Sequence, residues 1–341
     1  MYLASLSNNK ENNFNAIRLL AAVLVIYSHH FALYYGAGIH LDPLAMISNS
    51  KLSFGALAVN IFFVISGFLI AASFLNNSLL RFIFMIFLTI ICFYFLFSHE
   101  NFMAYINRND VLSYLKNIFI LLGLNVVIDG VFTNNVYPST INGSLWTLPW
   151  ELRMYILLTI VALFSTYRRI VILLIAILSP IVYIVNDIIN ITENLSIILA
   201  LRMTSFFFIG AAFYFFKDKI YISNKISGLL LLFIFFTIIT ESADLIFVLN
   251  VVAVPYLIFY FAYKIPQIKF LNGKNDYSYG LYIYAFPIQQ FIIMINYKNN
   301  LVSNSHFYFS LILSTVLIFI FAYLSWHMVE KKFLSFKKVV S

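Results

Sequence analysis

Residues 13–35, NFNAIRLLAAVLVIYSHHFALYY, are where the reading of the fold begins. The run is long enough and apolar enough to cross a bilayer as one α-helix. It nevertheless carries Arg18 near one end and His29–His30 well inside. At about 100° per residue, the step from Arg18 to His29 is three turns plus roughly 20°. Both side chains therefore share a face, about 16 Å apart along the axis. A cation at the entrance and an imidazole towards mid-bilayer are costly in a simple anchor, and ionisable residues in a span usually face a cavity or pathway.

The rest of the chain has the same character. Of its 341 residues 62% are hydrophobic and 10% charged, and the mean hydropathy is +0.93. The apolar runs are long and continuous, not alternating, which excludes a soluble domain and a β-barrel and predicts an all-α polytopic membrane protein. The first apolar segment is too long for the core of a cleavable signal and is expected to remain as an anchor. The net charge of +8 lies in basic clusters at span ends, as the positive-inside rule requires, so no nucleic-acid partner is inferred. The single cysteine, Cys92, falls in an apolar run, which leaves no internal disulfide and no cysteine metal site.

Further spans are expected at 54–75, 82–97, 148–166, 170–185, 196–216, 227–240, 245–262, 278–296 and 307–328, making about ten in all. With both termini cytoplasmic, Lys10, Arg81, Arg168–Arg169, Lys217–Lys219, Lys264–Lys274 and Lys331–Lys338 all fall inside. The apolar piece Val111–Val127 is short and flanked by polar groups. A re-entrant or surface-lying course suits it better than a crossing. One membrane domain is expected over 1–341, with no fused soluble domain.

Among the polar residues, His29 is a candidate for moving a proton or carrying a transferred group, or else for packing against a neighbouring carbonyl. His30 points about 100° away and is expected to pack or support. Arg18 can fork onto a phosphate or carboxylate, or serve as a snorkelling anchor. In INGSLWTLPWELRMY (141–155), Asn-Gly makes a turn and Pro149 suits the first turn of a helix whose opening includes Glu151. Glu151 is a partner for His29 or a substrate hydroxyl, or a carboxylate stabilising the helix start. Arg202 lies inside its span and needs a cavity or an acidic partner. No metal ligand set stands at helical spacing.

Taken together, these stretches resemble the acyltransferase 3 family of bacterial inner-membrane proteins that acylate sugars of surface or secreted glycans. Arg18-x10-His29, FFVISGFLI (62–70), NGSLWTLPWE (142–151), DYSYGLYIYAFPIQQ (276–290) and HMVEKKF (327–333) occur in the family's order over nearly the whole chain. The resemblance implies a ten-helix membrane domain in the bacterial cytoplasmic membrane. It implies a cytoplasmic acyl-CoA donor, usually acetyl-CoA, as substrate with no bound cofactor, and a lipid-linked or surface glycan such as O-antigen or capsule as acceptor. It makes His29 the catalytic histidine and Arg18 its partner. Glu151 is expected to join them, and Ser144, Trp146, Tyr282, Arg202 and Arg81 are expected to bind substrate. Where the family commonly has Arg-x-x-Arg-Ile-x-Pro after the second helix, this chain has Leu79-Leu80-Arg81-Phe82. Ala285 stands where many members place histidine before the aromatic-Pro pair. A glycan transporter, and an acyltransferase-like partner subunit without donor binding, are the alternative functions.

Overall fold

A computed structural model of the chain describes residues 1–7, 11–36, 38–39, 41–72, 102–116, 124–164, 166–240, 242–272, 275–298 and 304–330. The described helices are α1 (Leu3–Ser7), α2 (Phe14–Tyr35), α3 (Pro43–Ile47), α4 (Phe54–Ala72), α5 (Phe102–Ile106) and α6 (Asn109–Leu115). A 3₁₀ turn (Gly143–Thr147) leads into α7 (Leu148–Phe164). There follow α8 (Arg168–Ile189), α9 (Leu195–Phe215), α10 (Asn224–Thr240), α11 (Ala243–Tyr263), α12 (Ser278–Lys298) and α13 (Asn304–Ser325). Among the described residues β-structure is limited to isolated bridges, Tyr2 with Tyr221 and Val127 with Thr140.

Eight of the described segments are long and apolar enough to cross a membrane. They match the expected spans at 13–35, 54–75, 148–166, 170–185, 196–216, 245–262, 278–296 and 307–328, and the protein is a multi-pass helical membrane protein. The expected crossing at 227–240 lies in α10, whose apolar part Asn224–Phe236 is shorter. The expected span 82–97, with Arg81 and Cys92, lies outside the described residues. In the Val111–Val127 piece, α6 ends at Leu115 and residues 117–123 lie outside the described residues.

The chain forms two compact units. The first comprises 1–21, 43–76 and 150–274, the second 22–42, 77–149 and 275–341, so the division falls within α2 and near the start of α7. In the first unit α4, α8, α9 and α11 pack around Phe63, Phe68, Phe206, Phe207, Phe208 and Phe259, all buried. Asn13 fastens the start of α2 to the end of α11. Its Nδ2 donates to the carbonyls of Phe261, Ile265 and Pro266, and its Oδ1 accepts from the Ile268 amide and Asn272. Carbonyls past a helix end have no partner in their own helix, and one buried amide serves several here.

In the second unit α12 packs along α13, and the segment 124–141 is docked on α12. Asn135 Nδ2 donates to the Gln290 carbonyl and to its Oε1, while Gln290 Nε2 donates to the carbonyls of Tyr137 and Thr140. The other end of that segment rests on Asp110, which accepts from Arg108 (2.6 Å) and from the Asp129 amide (2.9 Å). Partial burial works to raise the Asp110 pKa, but these bonds, the Val111 amide and the Arg108 charge outweigh it. The carboxyl thus titrates below its ordinary value. A depressed carboxyl contributes stability that is present above the unfolded-state pKa and lost as pH falls through the folded-state value. Protection of the Asp129 amide from hydrogen exchange is accordingly expected to hold at neutral pH and to fall below about pH 4. Asp110→Asn is expected to abolish the protection at neutral pH as well; unchanged protection in that variant would show that the carboxylate does not anchor the segment.

Candidate active site

The site in the second unit begins with a missing hydrogen bond. Pro287 lies inside α12 and has no N–H, which leaves the carbonyl of Ile283, four residues earlier, without its helical donor. Asn142 supplies one, its Nδ2 donating to the Ile283 oxygen at 2.8 Å. The Asn142 Oδ1 accepts from the Ser144 amide at 3.2 Å and so caps the 3₁₀ turn. A proline break in a membrane helix is tolerated where a neighbouring side chain restores the lost bond. Here that side chain belongs to the Asn-Gly-Ser turn.

Gly143 is required by the same close approach: a Cβ there would stand 2.8 Å from the Phe286 ring. Tyr282, one turn back on α12, donates to the Ser144 carbonyl and meets the Thr147 hydroxyl at 2.6 Å. Asn142 and Ser144 are fully buried. The outcome is a fixed Ser144 hydroxyl, with Oγ 3.4 Å from His29 Nδ1. The edge of Phe286 stands against the imidazole, ring centres 6.0 Å apart. His29 is half-buried. His30, by contrast, is sealed, with Nε2 2.8 Å from Ser310 Oγ and its ring against Phe307. Trp146 is 37% exposed.

The first unit holds a second cluster. Glu151 Oε1 accepts from Ser66 Oγ at 2.9 Å and from the Tyr155 hydroxyl. Arg18 is close enough to act electrostatically on Tyr155. Glu151 and Tyr155 are four apart on α7 and so share a face. Arg153 lies instead over the Trp150 ring, 4.6 Å from its centre. Arg202, on α9, donates from Nη2 to Asn60 Oδ1 at 3.3 Å.

Within the second unit the described contacts join Ser144 to His29 and to Tyr282; within the first, Glu151 and Arg18 both act on Tyr155, and Arg202 meets Asn60. Sequence reading missed Ser66, Tyr155, Asn142 and Phe286. The i,i+4 spacing of Glu151 and Tyr155 and the orphaned carbonyl four residues before Pro287 are signals that point to two of these contacts. Nothing in the sequence places Ser66 on Glu151.

Comparison with known proteins identifies the family of the chain. Residues 11–324 match the acyltransferase-domain family. The chain is 31% identical, over 349 aligned residues, to an O-acetyl transferase of Shigella phage Sf6, covering 96% of this chain and 97% of that protein. No solved structure matches. With the family matched across nearly all its helices, including those that carry His29, Ser144 and Glu151, the chain belongs to the acyltransferase-domain family of membrane proteins.

Proposed function

We propose that the protein is an O-acetyltransferase of the bacterial cytoplasmic membrane. It moves an acetyl group from acetyl-CoA, presented on the cytoplasmic side, to a sugar hydroxyl of a surface polysaccharide such as O-antigen or capsule. The observation that carries the reading is the half-buried His29 imidazole held beside the immobilised Ser144 hydroxyl. The likeness to the phage O-acetyl transferase supports acetyl as the group moved.

In this reading His29 Nδ1–H donates to Ser144 Oγ, which fixes the tautomer and leaves Nε2 unprotonated. Nε2 takes the proton of the sugar hydroxyl as its oxygen attacks the thioester carbonyl. The new C–O bond forms, the C–S bond breaks, and the thiolate of CoA leaves with the proton that the imidazolium returns. Asn142, Gly143 and Tyr282 act on the turn that positions Ser144. Arg18 offers a cation to the donor's phosphates. Glu151, oriented by Ser66 and Tyr155, accepts a hydrogen bond from substrate.

The test is the O-acetyl content of the host's surface glycan, read by proton NMR in wild type, a deletion strain and the deletion carrying the gene on a plasmid. Acetyl signals are expected to vanish on deletion and return with the plasmid. Unchanged signals in the deletion strain would reject the reading.

A further inference from the structure

A polar pocket of about 90 Å³ lies in the first unit, where α4, α9 and α11 begin and α8 ends; Arg202, Asn60, Lys51, Asp187 and Asp244 line it. Arg202 Nε is fully enclosed and has no hydrogen-bond partner among the described residues. A buried donor left unpaired costs free energy that a ligand can recover. The Asp187 and Asp244 carboxyls lie together in the lining. One wall is the stacked pair Tyr183–Phe247, with ring centres 4.1 Å apart.

At their opposite ends the same helices carry Arg168 and Arg169 at the start of α8, Lys217 and Lys219 after α9, and Lys264 after α11. The positive-inside rule puts those ends in the cytoplasm and the pocket on the outer side. The Asp187 and Asp244 carboxyls set acceptors and negative charge beside Arg202 and Lys51, so the pocket is not a purely cationic anion site. It offers donors and acceptors side by side next to an aromatic wall, which suits a polyol whose hydroxyls both donate and accept. The volume is enough for several waters, and so for the hydroxyl-bearing edge of a pyranose.

We propose that this outward-facing pocket holds one sugar residue of the acceptor glycan, a proposal that rests on the glycan acyl transfer set out above. Arg202 and the two aspartates bind the hydroxyls, and the pocket selects the acceptor without taking part in the acyl chemistry.

The test uses full-length protein in phosphatidylethanolamine nanodiscs, with saponified, fragmented surface polysaccharide from the producing strain as probe. Oligosaccharide binding is followed by calorimetry, and acetyl transfer by release of free CoA thiol. Arg202→Gln and Asp187→Asn are compared; the latter sits at an exposed helix end and keeps the fold even where the former does not. Each is expected to weaken oligosaccharide binding and raise the acceptor KM at least tenfold, with kcat at saturating acceptor changed less than threefold. If wild type transfers acetyl and both variants keep the wild-type KM, the pocket proposal is overturned while the acyl-transfer reading stands. If wild type binds the oligosaccharide, the variants lose that binding, and no preparation transfers acetyl, the pocket stands and the acyl-transfer reading falls. Variants that keep the KM but lose co-purifying phosphatidylethanolamine identify a lipid-headgroup site and also overturn the proposal.

Discussion

His29→Ala is expected to lower acetyl transfer by about 10²–10⁴-fold, the range over which a positioned proton acceptor contributes. That corresponds to roughly 3–5 kcal/mol of transition-state stabilisation. The loss should appear in kcat with little change in either KM, since an interaction that strengthens only at the transition state leaves ground-state binding alone. Purified protein, acetyl-CoA and the saponified polysaccharide are sufficient, with CoA thiol release as the readout. The neighbouring position supplies the contrast. His30 is sealed and bonded to Ser310, so His30→Ala should lower the melting temperature and the yield, an effect that His29→Ala, at a half-buried position, should not share. Retention of a tenth or more of the wild-type rate in a well-folded His29→Ala protein would remove His29 from the chemistry.

Ser144 refines that expectation. If its hydroxyl acts only by fixing the His29 tautomer, Ser144→Ala should cost about tenfold in the wild-type background, near the energy of one hydrogen bond. In the His29→Ala background it should cost almost nothing, because groups acting as a unit are not additive. Equal losses in both backgrounds would give Ser144 a role of its own.

The membrane helices were legible because their length is set by the bilayer and not by local chemistry. The reading of 13–35 stands against an observed Phe14–Tyr35. Ends were less legible. The expected span 170–185 continues to Ile189, because Asn186, which reads as loop, is held in the helix by its side chain. Asn186 Nδ2 donates to the Thr192 carbonyl, Oδ1 accepts from the Thr192 amide, and Asn190 closes the helix in a left-handed conformation with φ of 50°. The site was legible in its residue types and not in its grouping. His29 and Ser144 are 115 positions apart, and only the packing of α12 beneath the Asn-Gly-Ser turn brings them together. The FFVISGFLI stretch was visible as a motif, but what its serine and glycine do depends on helices distant in sequence.

The largest expected effect on folding lies at that glycine. Gly67 on α4 and Gly210 on α9 form a reciprocal crossing. A Cβ at Gly67 would fall on the carbonyl oxygen of Phe207, and a Cβ at Gly210 on that of Val64. Val64 and Phe207 each lie three residues before the glycine on their own helix, and both are fully buried. The two backbones therefore touch, as small residues allow in membrane helix pairs, and no rotamer change relieves a side chain aimed at backbone. Gly67→Val or Gly210→Val forces α4 and α9 apart. The cost should reach or exceed the top of the roughly 1–3 kcal/mol typical of overpacking, against a total stability of order 5–15 kcal/mol. Separation of α4 would also withdraw Ser66, adjacent to Gly67, from the Glu151 carboxylate it bonds at 2.9 Å. Gly228→Val is the control, since a Cβ at Gly228 meets nothing within 4 Å. By fluorescence-detected size exclusion, both crossing variants should lose most of the monodisperse peak while Gly228→Val stays near wild type. Where a crossing variant survives detergent extraction, its acetyl transfer should fall further than its yield, because the Ser66–Glu151 bond fails before the fold does. Equal monodisperse yields from Gly67→Val and Gly228→Val would mean that α4 and α9 do not meet backbone to backbone.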